Sequence, residues 1–341
     1  MRENSERALT IGVASSALFD LTESDEVFRK QGQEAYEAYQ ADHLHDKLKP
    51  GIAFPFVKRL LSLNDLTPNL VEVIIMSRNS PTSGLRVMES ISRHKLAITR
   101  AVFRTGLSST EFMDVFGMTL FLSANADDVK EAVRNKRPAG QVLRSSGRED
   151  DDEDSLRIAF DFDGVLADDS SEKFYKNNPD DYAEHERKHA DEPLPKGPLE
   201  NFLAGVNRIQ KIEDSKVEQD SSYVRRVRVS LVTARNAPAH ARAVRSLQEW
   251  GVKVDDAFFL GGLDKTDVLN RLRPHMFFDD QLKNLESAEL TAPAVHIPFG
   301  IRNNWEEVEG DINAKEAVGK RGRILNHLMG RFRQIVSRCR N

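Results

Sequence analysis

Residues 156–169 read LRIAFDFDGVLADD, a short apolar run that leads into an aspartate-rich turn. Such a run, bounded by a turn, is typical of a buried strand in a parallel sheet. Gly164 supplies the backbone freedom that a tight turn needs after the strand. A second apolar run, VRVSLVTA at 227–234, predicts another buried strand with polar residues at its carboxyl end.

The rest of this half alternates helical and strand patterns. AHARAVRSLQEWG predicts a helix that Gly251 ends, and KTDVLNRLR predicts a second helix. Further strands are predicted from AFFLGG, HMFFDD and AVHIPFG. Strands that alternate with helices favour an α/β fold with a doubly wound, Rossmann-type parallel sheet.

The first half of the chain repeats this order. Its matching segments are LTIGV, VEVIIMSRN, SGLRVMESISRHKL, AVFRTG and MTLFLSA. From Ala101 to Ala124 it aligns with 257–280 without a gap and shares six identities in 24 positions, where unrelated chains share about one or two. We interpret the halves as a duplication; the alternative is two unrelated α/β domains.

The two halves differ in the polar residues at the predicted strand ends. Opposite the polar residues of the second half, the first half carries small side chains: Ala14 against Asp161, Ser16 against Asp163, Ser77 against Thr233, Ser109 against Lys265, and Ser123 with Ala124 against Asp279 with Asp280. The first half is therefore interpreted as a scaffold that lacks catalytic residues.

These patterns predict four regions. They are a degenerate domain at 1–144, an acidic linker at 145–155, a catalytic domain at 156–304 with a small helical cap inserted at about 169–223, and a helical tail at 305–341. The tail from Lys320 predicts an amphipathic helix whose apolar face packs on this chain or on a sister subunit, so a homo-oligomer is left open. The run REDDDED at 148–154 is interpreted as a solvated linker.

Composition narrows the class of protein. The chain has 341 residues, 39% hydrophobic and 30% charged, with a formal net charge of −5, which fits a globular protein and does not favour a nucleic-acid polymer as partner. No apolar stretch is long enough to span a membrane, and the first residues lack a signal-peptide pattern. With one cysteine, Cys339, the sequence predicts a cytoplasmic protein.

Four features of the second half are expected to share one crevice, because ligands bind at the carboxyl ends of strands in open parallel sheets. They are DFDG from Asp161, VTAR with Thr233, the lysine Lys265, and the pair Asp279 and Asp280. Gathered carboxylates repel one another unless a hard cation neutralises them, and Mg²⁺ prefers oxygen ligands. Asp161, Asp163, Asp279 and Asp280 are the candidate metal residues.

The residue types also suggest a reaction. Asp161 can attack phosphorus once the metal and Lys265 neutralise the repelling charge. Asp163 would protonate the leaving oxygen and later deprotonate water. Thr233 and the backbone of Ala234 and Arg235 would bind phosphoryl oxygens.

Each feature taken singly has a plainer interpretation. DxDG could be an acidic turn or part of a calcium loop, and Thr233 or the aspartate pair could cap a helix. Lys265 could be a solvated surface lysine. Their joint occurrence, in this order and at strand ends, favours the catalytic interpretation.

These motifs resemble those of the haloacid dehalogenase superfamily of aspartyl-phosphate phosphotransferases. More narrowly, the chain resembles the cytosolic 5'-nucleotidase type I family through segments such as ALTIGVASSALF, GIAFPFVKRLL, LSANADDVKEA, EHERKHADEPLPKGPLENFL, WGVKVDDAFFLGG and RPHMFFDDQ. The resemblance implies Mg²⁺-dependent hydrolysis of nucleoside 5'-monophosphates. It assigns Asp161 as nucleophile, Asp163 as acid/base, Thr233 and Lys265 to the phosphate, and Asp279 with Asp280 to the metal.

The insertion contains HERKH, from His185 to His189, which matches the zinc-protease pattern H-E-x-x-H. Three interpretations stay open: a zinc site, a solvated helix, and a cap surface that contributes to nucleotide recognition. Under the last, Phe174, His185 and His189 are candidate substrate contacts, although Phe174 could equally be a core residue.

Two further functions remain as alternatives. One is a phosphatase of the same chemistry acting on another small phosphomonoester, such as a sugar phosphate. The other is a non-catalytic nucleotide-sensing or assembly protein.

Overall fold

The computed structural model describes residues 8–143, 154–288 and 292–303, and of residues 287 and 288 only the backbone. The described residues up to Phe299 form one compact unit; a second unit comprises Gly300–Asn341, of which only 300–303 are described. The predicted tail helix and most of the REDDDED run lie outside the described residues. Within the described part of the chain, no helix has the length and apolarity that crossing a membrane requires.

Ten strands form one sheet. They are β1 Leu9–Val13, β2 Val71–Ser77, β3 Arg100–Phe103, β4 Leu120–Ser123, β5 Ala139–Val142, β6 Leu156–Phe160, β7 Val227–Thr233, β8 Asp256–Phe259, β9 Met276–Asp279 and β10 Ala294–His296. Their order is β3-β2-β1-β4-β5-β10-β9-β6-β7-β8. All neighbouring pairs are parallel except β5 and β10, which pair antiparallel through Val142 opposite Val295.

Each half of the chain contributes five strands in the same order. If the five strands of each half are numbered 1 to 5 along the chain, both halves have the order 3-2-1-4-5 from the outer edge of the sheet to its centre. The predicted α/β class with a mostly parallel sheet is confirmed. The repeated order is what a duplicated unit would produce, while the duplication itself stays an interpretation.

Twelve α-helices connect or flank the described strands. They are α1 Ser15–Leu18, α2 Thr22–Gln31, α3 Gln33–Asp42, α4 Phe54–Ser62, α5 Pro81–Arg93, α6 Ala126–Arg134, α7 Ser170–Asn177, α8 Tyr182–Lys188, α9 Glu200–Gln219, α10 Ala239–Trp250, α11 Thr266–Leu272 and α12 Leu282–Ala288. Short 3₁₀ turns lie at Leu63–Asp65, Thr110–Phe112 and Ile301–Asn303.

Local sequence explains several helix ends. The Ser80 side chain accepts a hydrogen bond from the Ser83 amide at 3.2 Å, and Pro81 opens α5. Helix α10 ends at Gly251, which has the left-handed φ of 68° that the sequence predicted there. The sequence patterns did not predict α2 and α3, whose mostly polar residues give a weak apolar periodicity.

Both halves share one hydrophobic core. Phe278 of β9 stacks on Phe160 of β6 at 5.2 Å between ring centroids and also contacts Phe202 of α9 and Phe56 of α4. Since Phe56 belongs to the first half and the other three to the second, the strands that carry the aspartate motifs pack on side chains from both halves.

The connection from β6 to β7 has two parts. Helices α7 and α8 come first, and then α9 runs back along the sheet, as the sequence predicted for KGPLENFLAGVNRIQ. At Gly205, a Cβ atom would lie only 2.8 Å from the Leu9 side chain, so glycine allows α9 to approach β1 closely. The insertion beyond an ordinary crossover is therefore the α7–α8 segment.

Candidate active site

Three neighbouring strands end at the same edge of the sheet. Phe160 of β6 pairs with Leu231 of β7 and with Phe278 of β9. The Asp161 amide donates to the Phe278 carbonyl at 2.8 Å, which extends the pairing to the first residue after β6. Asp161 and Asp279 are thereby placed side by side, as expected for residues at the carboxyl ends of parallel strands.

Asp161, Asp279 and Asp280 form a buried carboxylate cluster. One oxygen of each lies within 4.8 Å of the others, and all three side chains are buried. In the described parts of the chain, these residues are the only group of three or more side chains with such metal-ligating geometry. The geometry thus brings together three of the four predicted metal residues, and Asp163 is not in this group.

The electrostatics of the cluster disfavour three unneutralised carboxylates. Burial raises the pKa of Asp280 to about 10, and the charges of Asp161, Glu172 and Asp279 add to the rise. Burial also raises the pKa of Asp161 to about 7. Both pKa values are raised, as expected for buried carboxylates whose negative charge is not balanced by enough positive charge nearby. An all-oxygen donor set of this kind suits a hard divalent cation.

Lys265 is the buried cation of the cluster. Its Nζ lies 3.0 Å from Asp161 Oδ1 and donates to Asp279 Oδ2 at 2.7 Å. Although burial lowers the pKa of Lys265, the charges of Asp161 and Asp279 hold it above its ordinary value. Lys265 therefore stays protonated between the two carboxylates, and the interpretation of a solvated lysine is wrong.

Asp279 is held by several protein donors. Besides Lys265, the Gln281 amide donates to Oδ1 at 2.8 Å, and Asn284 Nδ2 lies 3.1 and 3.0 Å from the two oxygens. Four hydrogen bonds thus fix the orientation of this carboxylate. Sequence reasoning missed Asn284, whose only signal was its position five residues after Asp279 on the following helix.

Asp163 lies outside the three-carboxylate cluster. Arg235 Nε donates to its Oδ2 at 2.7 Å and Nη2 donates to its Oδ1 at 2.6 Å, a bidentate pair between buried groups. The structure thus places Arg235, a predicted phosphate contact, on the predicted acid/base. Thr233 is buried, and its Oγ1 accepts a hydrogen bond from the Arg235 amide at 3.3 Å.

Gly164 turns the chain after Asp163. Its φ is 72°, a left-handed value that glycine adopts without a Cβ penalty. A Cβ atom at this position would lie 2.7 Å from the Asp280 carboxyl carbon. Glycine is therefore required both by the backbone and by the space that Asp280 occupies.

The predicted substrate contacts of the insertion lie together. The Phe174 ring stacks on His185 with centroids 3.7 Å apart, and His185 lies 4.2 Å from His189. Burial and the neighbouring His189 lower the pKa of His185. Neither histidine belongs to a metal-ligating group of three among the described residues.

The glutamate of HERKH has a role that the sequence patterns did not reveal. Glu186 is fully buried, with 0% of its surface exposed, so α8 is not a helix solvated on every face. Its Oε2 accepts from Arg235 at 2.7 Å, and its Oε1 accepts from Arg242 at 3.0 Å. Burial acts to raise the pKa of Glu186, but the two arginines hold it below its ordinary value.

Glu172 is a second acidic residue of the insertion that sequence reasoning missed. Its Oε1 accepts a hydrogen bond from Gln281 Nε2 at 3.1 Å. It also contributes to the raised pKa of Asp280. Helix α7 therefore adds negative charge beside the carboxylate cluster.

At the equivalent strand ends of the first half, serine hydroxyls contact one another or a nearby carboxylate. Ser15 Oγ lies 2.9 Å from Ser77 Oγ, and Ser123 Oγ donates to Asp128 Oδ2 at 3.3 Å. Within the described residues, no side chains of this half form a metal-ligating group of three.

Comparisons with known proteins agree with this geometry. A family model described as 5'-nucleotidase matches residues 1–304. Among curated proteins, the chain is similar to cytosolic 5'-nucleotidase 1B of Homo sapiens, with 32% identity over 291 residues that cover 83% of this chain and 47% of the relative. The chain thus spans about half the length of that relative. No solved structure matches it.

Proposed function

The chain belongs to the 5'-nucleotidase family, and on that premise we propose that it hydrolyses nucleoside 5'-monophosphates to nucleoside and phosphate. The observation that carries this proposal is the convergence of Asp161, Asp279 and Asp280 around Lys265 at one edge of the sheet. Such an arrangement suits phosphoryl transfer, in which positioning and neutralisation of charge provide most of the catalysis.

The proposed cofactor is Mg²⁺. The three carboxylates provide the hard oxygen ligands that this ion prefers, and the raised pKa values of Asp161 and Asp280 reflect charge that a cation would offset. Asp279 already accepts four hydrogen bonds, so Asp280 is proposed as the direct ligand of the tandem pair. When bound, the ion would neutralise charge on the phosphoryl oxygens.

The proposed reaction has two steps. An oxygen of Asp161 attacks phosphorus and the bond to the 5' oxygen breaks, while the Asp163 carboxyl gives its proton to the leaving alkoxide. A water molecule then loses a proton to Asp163 and attacks the aspartyl phosphate. The bond from Asp161 to phosphorus breaks, and phosphate leaves with the Asp161 carboxylate restored.

Other parts of the molecule have supporting roles in this proposal. The Thr233 hydroxyl and the Ala234 amide bind phosphoryl oxygens, and Lys265 balances charge on Asp161 and the phosphate. The predicted phosphate contact Arg235 instead holds Asp163. Phe174, His185 and His189 form a cap surface towards the nucleoside. The first half is proposed to be a degenerate copy of the catalytic unit. Both halves would then descend from one ancestral unit of the haloacid dehalogenase type.

Replacement of the nucleophile tests the proposal. Asp161→Asn should abolish phosphate release from AMP in the presence of Mg²⁺, because the amide cannot form the covalent intermediate. A phosphate-release assay measures the rate, and circular dichroism shows whether the fold is retained. Full activity in this variant would refute the assigned nucleophile.

Two controls separate the alternatives. A panel of phosphomonoesters at fixed Mg²⁺ would favour the sugar-phosphate phosphatase if non-nucleotides were clearly preferred. Phosphate release measured with and without EDTA tests the non-catalytic alternative, which gains support if no phosphomonoester is turned over in a metal-dependent way.

A further inference from the structure

A buried network of four charged side chains lies behind the acid/base. Asp163, Glu186, Arg235 and Arg242 are all buried, and their formal charges sum to zero before Asp163 takes up the proton that it gives to the leaving oxygen. Arg235 is bonded to both Asp163 and Glu186, while Arg242 bonds Glu186 and donates to the Glu192 carbonyl at 2.8 Å. Asp163 thus connects through one guanidinium to a glutamate of helix α8.

Stability alone gives a weak reason for such a network. Removing charged groups from water is costly, and well-packed apolar residues in their place are often as stable or more stable. A network of this kind is therefore expected where the position of a charged group matters. Here the charged group at its end is the proposed proton donor.

The geometry around Arg235 shows what Glu186 does. Two nitrogens of the guanidinium bind the two oxygens of Asp163, and the third, Nη1, binds Glu186 at 2.7 Å and the Ala239 carbonyl at 3.1 Å. The Phe162 ring lies 5.1 Å beneath the guanidinium carbon. Glu186 is thus the charged partner that holds Arg235 from the side opposite Asp163.

We infer that Glu186 is a positioning residue: by fixing Arg235, it sets the orientation from which Asp163 protonates the leaving oxygen. This inference rests on the proposed function. It gives the HERKH segment a role in catalysis that involves neither zinc nor contact with the substrate.

The test compares two substrates that differ in one atom. AMP releases an alkoxide, which needs a proton to leave. The 5'-thio analogue, in which sulfur replaces the oxygen between carbon and phosphorus, releases a thiolate that leaves without a proton. Asp163 also deprotonates the water of the second step with either substrate, so the comparison uses the rate at which the nucleoside or its thiol is released in a single turnover, which reports the first step alone. A defect in proton donation slows this release selectively for AMP, whereas a general structural defect slows it for both substrates.

Glu186→Gln is the main variant. It keeps the size of the side chain but replaces one of the two accepting oxygens with an NH2 donor, so it cannot accept hydrogen bonds from both arginines in the present arrangement. We expect the release of adenosine from AMP in a single turnover to slow about 10- to 100-fold, as misplacement of a catalytic group by about 1 Å does, with the AMP concentration that gives half of the maximal rate within about threefold of wild type. The release of the thiol from the thio analogue in a single turnover should stay within about threefold of wild type.

Three further variants serve as references. Asp163→Asn should show the same selectivity for the thio analogue with a larger loss on AMP. Ser171→Ala removes the hydroxyl that donates to Glu186 Oε1 at 3.0 Å but leaves both arginine pairs in place, so both rates should stay within about twofold. If Glu186→Gln does not fold, the charge-balanced double variant Glu186→Gln/Arg242→Gln is used, with the same expectation.

The outcomes separate this inference from the proposed function. Equal losses on the two substrates, or no loss on AMP, would overturn the positioning role while leaving the nucleotidase intact. Wild-type protein that releases phosphate from neither substrate would overturn the proposed function and the inference together.

Discussion

At the scale of single residues, the site depends on charged groups that are buried at close quarters. Lys265 lies between Asp161 and Asp279, and Arg235 donates two hydrogen bonds to Asp163. Because these groups are buried, each one's orientation is set by its neighbours, and small displacements have large effects. Gly164, directly after Asp163 and against Asp280, shows this most clearly.

Gly164→Ala is predicted to lower activity strongly. The left-handed backbone costs alanine about 1 kcal/mol, and the new Cβ would meet Asp280 at 2.7 Å, so the carboxylate must shift. We expect kcat for AMP to fall at least about tenfold. Steady-state kinetics, together with thermal unfolding, measure the two effects.

Gly251→Ala is the matched control. Its φ of 68° is close to that of Gly164, yet a Cβ there would have no neighbour within 4 Å. It should reduce stability by a similar backbone cost and leave kcat unchanged. Equal kinetic losses in both variants would show that backbone strain, and not the displacement of Asp280, causes the effect.

At the scale of elements, helix α9 supports the strands that carry the site. Phe202 of α9 is fully buried and contacts Phe160 of β6 and Phe278 of β9 with ring centroids 6.1 and 5.8 Å apart. Strand β6 ends directly before Asp161, and β9 ends at Asp279. The helix therefore connects the packing of the core to the position of the carboxylates.

Phe202→Ala is predicted to destabilise the protein by about 3–5 kcal/mol, the usual cost of truncating a buried phenylalanine. Urea denaturation measures the change in the free energy of unfolding. Val217→Ala on the same helix is the control, since Val217 is 36% exposed and its truncation should cost less than about 1 kcal/mol. Similar losses for both variants would contradict the packing described here.

At the scale of the whole molecule, one sheet and one core unite the two halves of the chain. The antiparallel pairing of β5 with β10 joins their sheets, and Phe56 of the first half contacts Phe278 of the second. Stability and the state of the metal site are therefore expected to be linked, because the carboxylate cluster lies on the central strands of this shared core.

The metal-free protein is predicted to lose stability as pH rises. Burial raises the pKa of Asp161 to about 7 and that of Asp280 to about 10. At pH values between the ordinary pKa of an aspartate and these raised pKa values, the folded protein holds more protons than the unfolded chain. Each increase in pH in this range therefore favours unfolding. Thermal unfolding in EDTA across this range measures the decline, and added Mg²⁺ should raise Tm.

Asp280→Asn is predicted to raise the Tm of the metal-free protein and to remove the stabilisation by Mg²⁺. At neutral pH the metal-free variant should gain about 2–4 °C in Tm, which corresponds to about 1 kcal/mol in a large domain. Asp280, whose pKa burial raises to about 10, has to take up a proton when the chain folds at this pH, and asparagine does not. The rise in Tm that Mg²⁺ causes should disappear, because the variant lacks the carboxylate that is proposed to bind the ion. A variant that keeps the full Mg²⁺ shift would contradict the role of Asp280.

The sequence by itself determined the strands and the order of the motifs. Runs such as LRIAF and HMFFDD specify buried strands locally, and the aspartates that follow them lie at the strand ends because parallel strands all point one way. Only the tertiary structure decided the partners of those residues. Glu186 meets Arg235 across 49 positions, and the polar sequence around Glu186 gave no sign that the residue is buried, because burial depends on how α8 packs. The single ten-stranded sheet likewise depends on the pairing of β5 with β10, which joins distant segments and leaves no local pattern.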